Sequence, residues 1–124
     1  RELIAWRTTN AGSRTKWQRM AYRAFMAAGL PEPEQDVWWL GYQHDFLWRR
    51  HSVTLEIDGY PWHSTKTNME RDRAKDLKVK QSGGDPNRVS NTQVENRIFE
   101  VVALVAARLA LRDPARRAGG SAAA

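Results

Sequence analysis

The sequence predicts an α/β domain, a central mixed β-sheet flanked by helices, with its elements in the order α-β-β-β-α-β-α. Three observations carry that reading. Apolar residues recur at helical spacing in two segments near the ends of the chain, Ser13–Ala28 and Val94–Leu109. Between them lie short segments that are dense in aromatics or alternate strictly, ending with Val53–Asp58. A charged helical stretch and one more strand-like segment follow. Strands framed by helices in this way pack as a sheet with the helices laid on it.

Residues 1–12 show weak periodicity and read as an approach segment, with Leu3, Ile4 and Trp6 available for packing. In the first helix Trp17, Ala21, Phe25 and Ala28 recur at spacings of four, four and three. Ser13 is its N-cap candidate, and Gly29, with Pro31 and Pro33 behind it, is its stop. Asp36–Leu40 and Gln43–Trp48 are predicted strands joined by a hairpin turn at Gly41-Tyr42. Arg49–Ser52 is a polar turn. In the third strand Val53, Leu55 and Ile57 line one face, Thr54, Glu56 and Asp58 the other, and Gly59 ends it.

The second helix is predicted from a cap at Ser64 or Thr65 to Gln81, with Met69 and Leu77 as its apolar anchors. Gly83-Gly84-Asp85-Pro86 breaks it, and Arg88–Asn91 reads as a short strand. The last helix bears a broad stripe of Val94, Ile98, Val101, Val102, Val105 and Leu109. After Arg112 the composition collapses to Ala, Gly, Arg and Ser, which predicts a disordered tail over 112–124. The folded domain is therefore expected over 13–111.

A chain of 124 residues supports one hydrophobic core and is too short for two. It has no cysteine, which excludes a disulfide scaffold and a thiolate zinc site and fits a reducing, cytoplasmic setting. No apolar run reaches the roughly 20 residues of a membrane span. Twenty Lys and Arg against fourteen Asp and Glu give a formal charge of +6. Such a balance favours a polyanionic partner, most commonly nucleic acid.

The most informative residues are His44-Asp45-Phe46 and Leu55-Glu56-Ile57-Asp58-Gly59. Were the two strands antiparallel neighbours, Asp45, Glu56 and Asp58 would converge at one end of the sheet. Crowded carboxylates repel unless a cation sits among them. Hard oxygen ligands suit Mg²⁺ or Mn²⁺, and such an ion can polarise a phosphodiester and activate water. Three solvated acids on an exposed strand explain the same spacing. His63, in Tyr60-Pro61-Trp62-His63, has the chemistry of a general acid or a metal ligand, and equally of a packed or capping residue. Alternation sends His44 to the face opposite Asp45, in a structural role, and His51 sits in the turn. On the second helix Asp72 can face inward while Arg71 and Lys75 share a neighbouring face, a pattern that an ordinary ion-paired helix also gives. Lys66, Arg71, Arg73, Lys75 and Lys78, with Trp38, Trp39 and Trp62, are the candidates for phosphate and base contacts. Most of the Trp residues are nonetheless expected in the core.

Gly41–His63 followed by Asn68–Arg73 resembles the small bacterial endonuclease-domain proteins related to the very-short-patch mismatch repair endonuclease, within the PD-(D/E)XK nuclease superfamily. The likeness runs from about Ser13 to Leu109. It rests on Gly-Leu-Pro at Gly29–Pro31, Asp-Phe-Leu-Trp at Asp45–Trp48, Glu-Ile-Asp-Gly at Glu56–Gly59 and Glu-Arg-Asp-Arg at Glu70–Arg73. It implies a restriction-endonuclease-like core and Mg²⁺-dependent (or Mn²⁺-dependent) hydrolysis of DNA. Asp45 would match the central metal-binding aspartate and Glu56 the second acidic position. Asp58 stands where the superfamily name leads one to expect Lys. His63 would match an active-site histidine, and Arg71 and Asp72 a pair that braces the site or touches phosphate.

Two positions depart from the pattern. Gln18 stands where relatives carry a Glu on the first helix, and the fourth strand is polar and interrupted by Pro86. The expected function is a metal-dependent DNA endonuclease, alone, as a homodimer or within a larger parent protein. The alternatives are a DNA-binding module of the same fold that does not cut, and a regulatory or toxin–antitoxin-type domain acting through a protein partner.

Overall fold

In the computed structural model the chain is described over residues 12–59 and 66–115. Helix α1 (Gly12–Ala27) leads into strands β1 (Glu34–Trp39) and β2 (Tyr42–Trp48). One 3₁₀ turn (Arg49–His51) separates them from β3 (Val53–Asp58). Helix α2 (Lys66–Gln81), strand β4 (Asp85–Ser90), the short α3 (Asn91–Asn96) and α4 (Ile98–Leu111) complete it. The sheet order is β1-β2-β3-β4, antiparallel except for the parallel β3–β4 pair. This is the mixed sheet with flanking helices expected from the sequence. Among the described residues no helix is long and apolar enough to cross a membrane.

The core lies on one face. Phe46, Trp48, Val53, Leu55, Ile57 and Val89 point from the strands toward Trp17, Ala21 and Phe25 of α1, Val94 of α3, and Val101, Val105 and Leu109 of α4. Phe25 meets Phe46 and Trp48 edge-on, each at 5.4 Å between ring centroids. Helix α2 takes the other face, as the connection between two parallel strands.

Five local expectations are corrected. The hairpin turn is Leu40-Gly41, with Trp39 paired to Tyr42. Both turn residues have positive φ, 55° and 82°, the pair of left-handed residues that matches strand twist in a two-residue hairpin. Strand β4 runs its full six residues despite Pro86, because it is an edge strand and Pro86 costs it only one donor. Asn87 supplies another, its side-chain amide donating to the Thr54 carbonyl at 3.3 Å. The last helix is two helices. Arg97 breaks it with φ −139° and ψ 43°, while Ser90 opens α3 with a capping box to Gln93, and the apolar stripe continues across the bend.

The fourth correction concerns α2. Met69 and Leu77 are 47% and 54% exposed, and the buried apolar residue is Val79. The face of α2 turned to the sheet is a stripe of Asp72, Lys75, Asp76 and Val79, so its inward side is mostly polar. The fifth is a break in strand alternation. The β1–β2 register pairs Gln35 with Phe46 and resumes at Val37 with His44. Asp36 stands between them at φ 51°, a left-handed conformation that Asp tolerates better than most residues. The predicted caps Ser64 and Thr65 lie outside the described residues. Arg112 is tied down, its guanidinium donating to the carbonyls of His51 and Gly83.

Candidate active site

Strands β2 and β3 pair Trp48 with Val53, Leu47 with Thr54 and Phe46 with Leu55. One step further their carboxylates take over the pairing. The Asp45 amide donates to Glu56 Oε1 at 3.1 Å, and the Ile57 amide donates to Asp45 Oδ2 at 2.9 Å. Each acid thus satisfies a main-chain donor of the opposite strand, and both are buried. Two of the three acids expected to converge do so.

The residue before Asp45 does not follow the alternation of β2. His44 is buried against Glu56, with Nδ1 2.9 Å from Oε2, rather than on the opposite face. Its Nε2 lies 3.0 Å from the Trp39 carbonyl, so both ring nitrogens are engaged. From the other side Lys75 places its Nζ 2.9 Å from Glu56 Oε1, with side-chain exposures of 11% and 3%. Burial pushes the Glu56 carboxyl up. The His44 hydrogen bond, the Lys75 charge and the bonds from Lys75 and Asp45 outweigh it and hold Glu56 below the ordinary carboxylate range. Glu56 is therefore an ionised, buried acid wedged between an imidazole and an ammonium.

Asp58 does not join Asp45. It sits half exposed at the rim, 3.0 Å from Arg88 Nη1. Arg88 stands directly across from Glu56 in the parallel ladder. Its guanidinium grips Asp76 through Nε and Nη2 at 2.8 and 2.9 Å, and it also reaches the Asp72 carbonyl at 3.2 Å. Burial raises the Asp58 carboxyl. Arg88 pulls it down, Asp72 and Asp76 push it up again, and the net is upward. Burial works against the Arg88 charge, but Asp76 and then Asp72 and Asp58 hold its proton more firmly than usual.

Gln18 is buried on α1, and its amide donates to Gln35 Oε1 at 3.3 Å, Asp36 Oδ2 at 3.2 Å and the Asp45 carbonyl at 3.5 Å. It therefore ties α1 to the irregular step of β1 and to the backbone of Asp45. His63 and Trp62 lie outside the described residues.

Part of this cluster borders a groove of about 1080 Å³ at the carboxyl ends of β3 and β4, the usual ligand position in open α/β sheets, while Asp45, His44 and Gln18 lie behind its wall. Glu56, Asp58, Lys75 and Arg88 line it, together with Arg71 and Arg73 of α2 and the 64% exposed Trp38 of β1. Lys66 and Lys78 are exposed on α2 but do not line the groove. Lys75 was expected on the outer, phosphate-binding face and instead points inward. His44, Lys75 as a partner of Glu56, Asp76 and Arg88 are the members that the sequence did not disclose. Asp72, expected to face inward, marks the side of α2 that does so, with Lys75, Asp76 and Val79 following it at helical spacing.

The donor chemistry fits a hard divalent cation, since Asp45 and Glu56 offer buried carboxylate oxygens on adjacent strands. They form a partial set. Among the described residues no three His, Cys, Asp or Glu side chains are placed to hold a metal ion together. Both Glu56 oxygens and one Asp45 oxygen already receive N–H donors.

No protein-family model matches the chain, and no curated protein does. Among solved structures it is similar to the homing endonuclease I-Bth0305I catalytic domain, with a TM-score of 0.67 and 14% identity. The match covers 78% of this chain and 96% of that one. At this identity the likeness is one of fold: the chain has the architecture of an endonuclease catalytic domain.

Proposed function

We propose that this chain is a metal-dependent DNA endonuclease domain, related to the very-short-patch repair nucleases by its site pattern. The observation behind the reading is the buried Asp45–Glu56 pair, wedged between two strands, with Glu56 lining a groove that has Arg71 and Arg73 on its wall. The endonuclease-like fold supports it.

Asp45 and Glu56 would hold Mg²⁺ or Mn²⁺, with Asp58 at the rim as a further acid. The ion, when bound, supplies charge stabilisation at the phosphoryl oxygen and an acidified water. The chain's own residues supply the rest. Arg71 and Arg73, with Lys66 and Lys78 further out on α2, grip the backbone phosphates. Lys75 and His44 keep Glu56 ionised and fixed in direction. Gln18 holds the Asp45 backbone, and Arg88 fixes Asp58 against Asp72 and Asp76. His63 assists proton transfer to the leaving oxygen. A single site of this kind cuts one strand, so a double-strand break requires a second copy or a second nick.

A DNA-binding module that does not cut is favoured by one specific observation: Glu56 is already neutralised by Lys75. A supercoiled-plasmid assay with Mg²⁺, Mn²⁺ or EDTA, run beside a folded Asp45→Ala variant, separates the two. The endonuclease reading expects metal-dependent open circles and a rate at least about 100-fold lower in the variant, the order lost with one charge-stabilising contact. Full metal-dependent nicking by Asp45→Ala overturns the assignment of the site. Intact plasmid throughout, with DNA bound tightly whether or not Mg²⁺ is added, establishes the binding module.

A further inference from the structure

We propose that Lys75 is a resident cation that competes with the divalent ion for Glu56, so that a metal ion is held there only when the Lys75 ammonium has moved off Oε1. The inference rests on the endonuclease reading and concerns how that site is loaded.

Three features converge on it. First, Glu56 is saturated as it stands. Lys75 Nζ and the Asp45 amide occupy Oε1, and His44 occupies Oε2. A dication joining that carboxylate would sit within a few ångströms of an ammonium in a site that excludes most water, where like charges repel far more strongly than in bulk. Second, Lys75 is the one of these partners that can leave. His44 is fixed at both ring nitrogens and Asp45 belongs to the strand, whereas Lys75 hangs on a flexible four-carbon stem from α2. Third, an alternative seat is adjacent. Asp72 lies one helical turn before Lys75, lines the same groove, and is only loosely held by Arg88, at 3.7 Å with half its side chain exposed. A DNA phosphate in the groove would offer Lys75 the same charge. Substrate that draws Lys75 away would then make room for the metal, and the two ligands would reinforce each other's binding.

Direct Mn²⁺ binding to the whole chain, followed by calorimetry or by the loss of the free-ion electron paramagnetic resonance signal, tests this without reference to cleavage. Lys75→Met is expected to bind Mn²⁺ at least about tenfold tighter than the unaltered protein, because the competing charge is gone. Lys75→Gln, which keeps a donor for Glu56 but no charge, should shift in the same direction and stands in if the Met variant does not fold. Lys80→Met removes an equal charge from the exposed side of α2 and should leave affinity unchanged. Glu56→Gln in the Lys75→Met background should abolish the gain. Equal or weaker Mn²⁺ binding in both folded Lys75 variants overturns the competition and leaves the endonuclease reading standing. No Mn²⁺ binding in any protein, or tight binding that survives Glu56→Gln, overturns the metal assignment of this pair and the competition with it.

Discussion

Glu56 holds its charge in a place that would normally neutralise it. Burial raises its pKa, and it stays ionised because His44 and Lys75 meet its two oxygens. Removing that charge leaves an ammonium and an imidazole facing an amide. Breaking one partner out of a buried pair typically costs about 3–5 kcal/mol, and Glu56→Gln is expected near the lower end because Lys75 retains some access to water. Urea denaturation at neutral pH measures it. The pH dependence has a definite sign. A carboxyl whose folded pKa is depressed contributes stability above its unfolded value, and loses it as pH falls through the folded value. The unaltered protein should therefore lose stability on acidification below about pH 4, where free carboxyls titrate, and Glu56→Gln should flatten that limb. Asp58 works in the other direction. Its folded pKa is raised, so its contribution is present at low pH and lost as pH rises through the folded value. An acid limb as steep in Glu56→Gln as in the parent would show that Glu56 is not held as described.

The joint between α2 and β4 is closely packed. A Cβ on Gly84 would lie 2.8 Å from Val79 Cγ1 and 2.9 Å from the Ser52 carbonyl oxygen, and the latter is backbone that cannot step aside. Gly84→Ala is expected to destabilise the fold by about 1–3 kcal/mol, the range for overpacking, as read from its denaturation midpoint. A midpoint unchanged by Gly84→Ala would mean that the joint has slack. The same joint shows what the sequence disclosed. Gly83-Gly84-Asp85-Pro86 plainly marked a break, but the pattern of polar residues around Pro86 did not reveal a full strand. That strand is paired along its length with β3, and the Asn87 amide bonds the Thr54 carbonyl, contacts between segments far apart in the chain. Likewise Val53, Leu55 and Ile57 announced their buried face by alternation, because β3 is regular. Alternation misplaced His44, whose ring turns to Glu56 on the neighbouring strand, a contact that no local pattern signals. The apolar anchors of α2 failed for a third reason. Its inward face is held by charges paired to Glu56 and Arg88, so hydrophobic spacing had nothing to follow.

The acids of the candidate site were legible because Asp45 and Glu56 must lie on adjacent strands once β2 and β3 form a hairpin. The cations that answer them were not, since Lys75 and Arg88 come from elements placed only by the β3–α2–β4 crossover. This division also organises the molecule's charge. Of the twenty Lys and Arg, Lys75 and Arg88 are paired internally with Glu56, Asp58 and Asp76, and the other cations lining the groove are Arg71 and Arg73. If DNA follows this groove, those two residues should account for a countable share of its phosphate contacts. Each contact to B-DNA contributes about 0.9 to the slope of log affinity against log salt. The Arg71→Ala/Arg73→Ala variant is therefore expected to lower the slope by about 1.8 and to weaken binding across unrelated sequences alike. Arg19→Ala/Arg23→Ala, on the exposed side of α1 across the sheet from α2, removes the same charge and should leave the slope in place. Fluorescence anisotropy on a short duplex over a range of salt concentrations reads both. A slope that falls equally in the two variants would mean that DNA answers the overall field rather than the groove. A slope lost only in the α1 variant would put the DNA on the opposite face, away from Glu56, and would take the endonuclease reading with it.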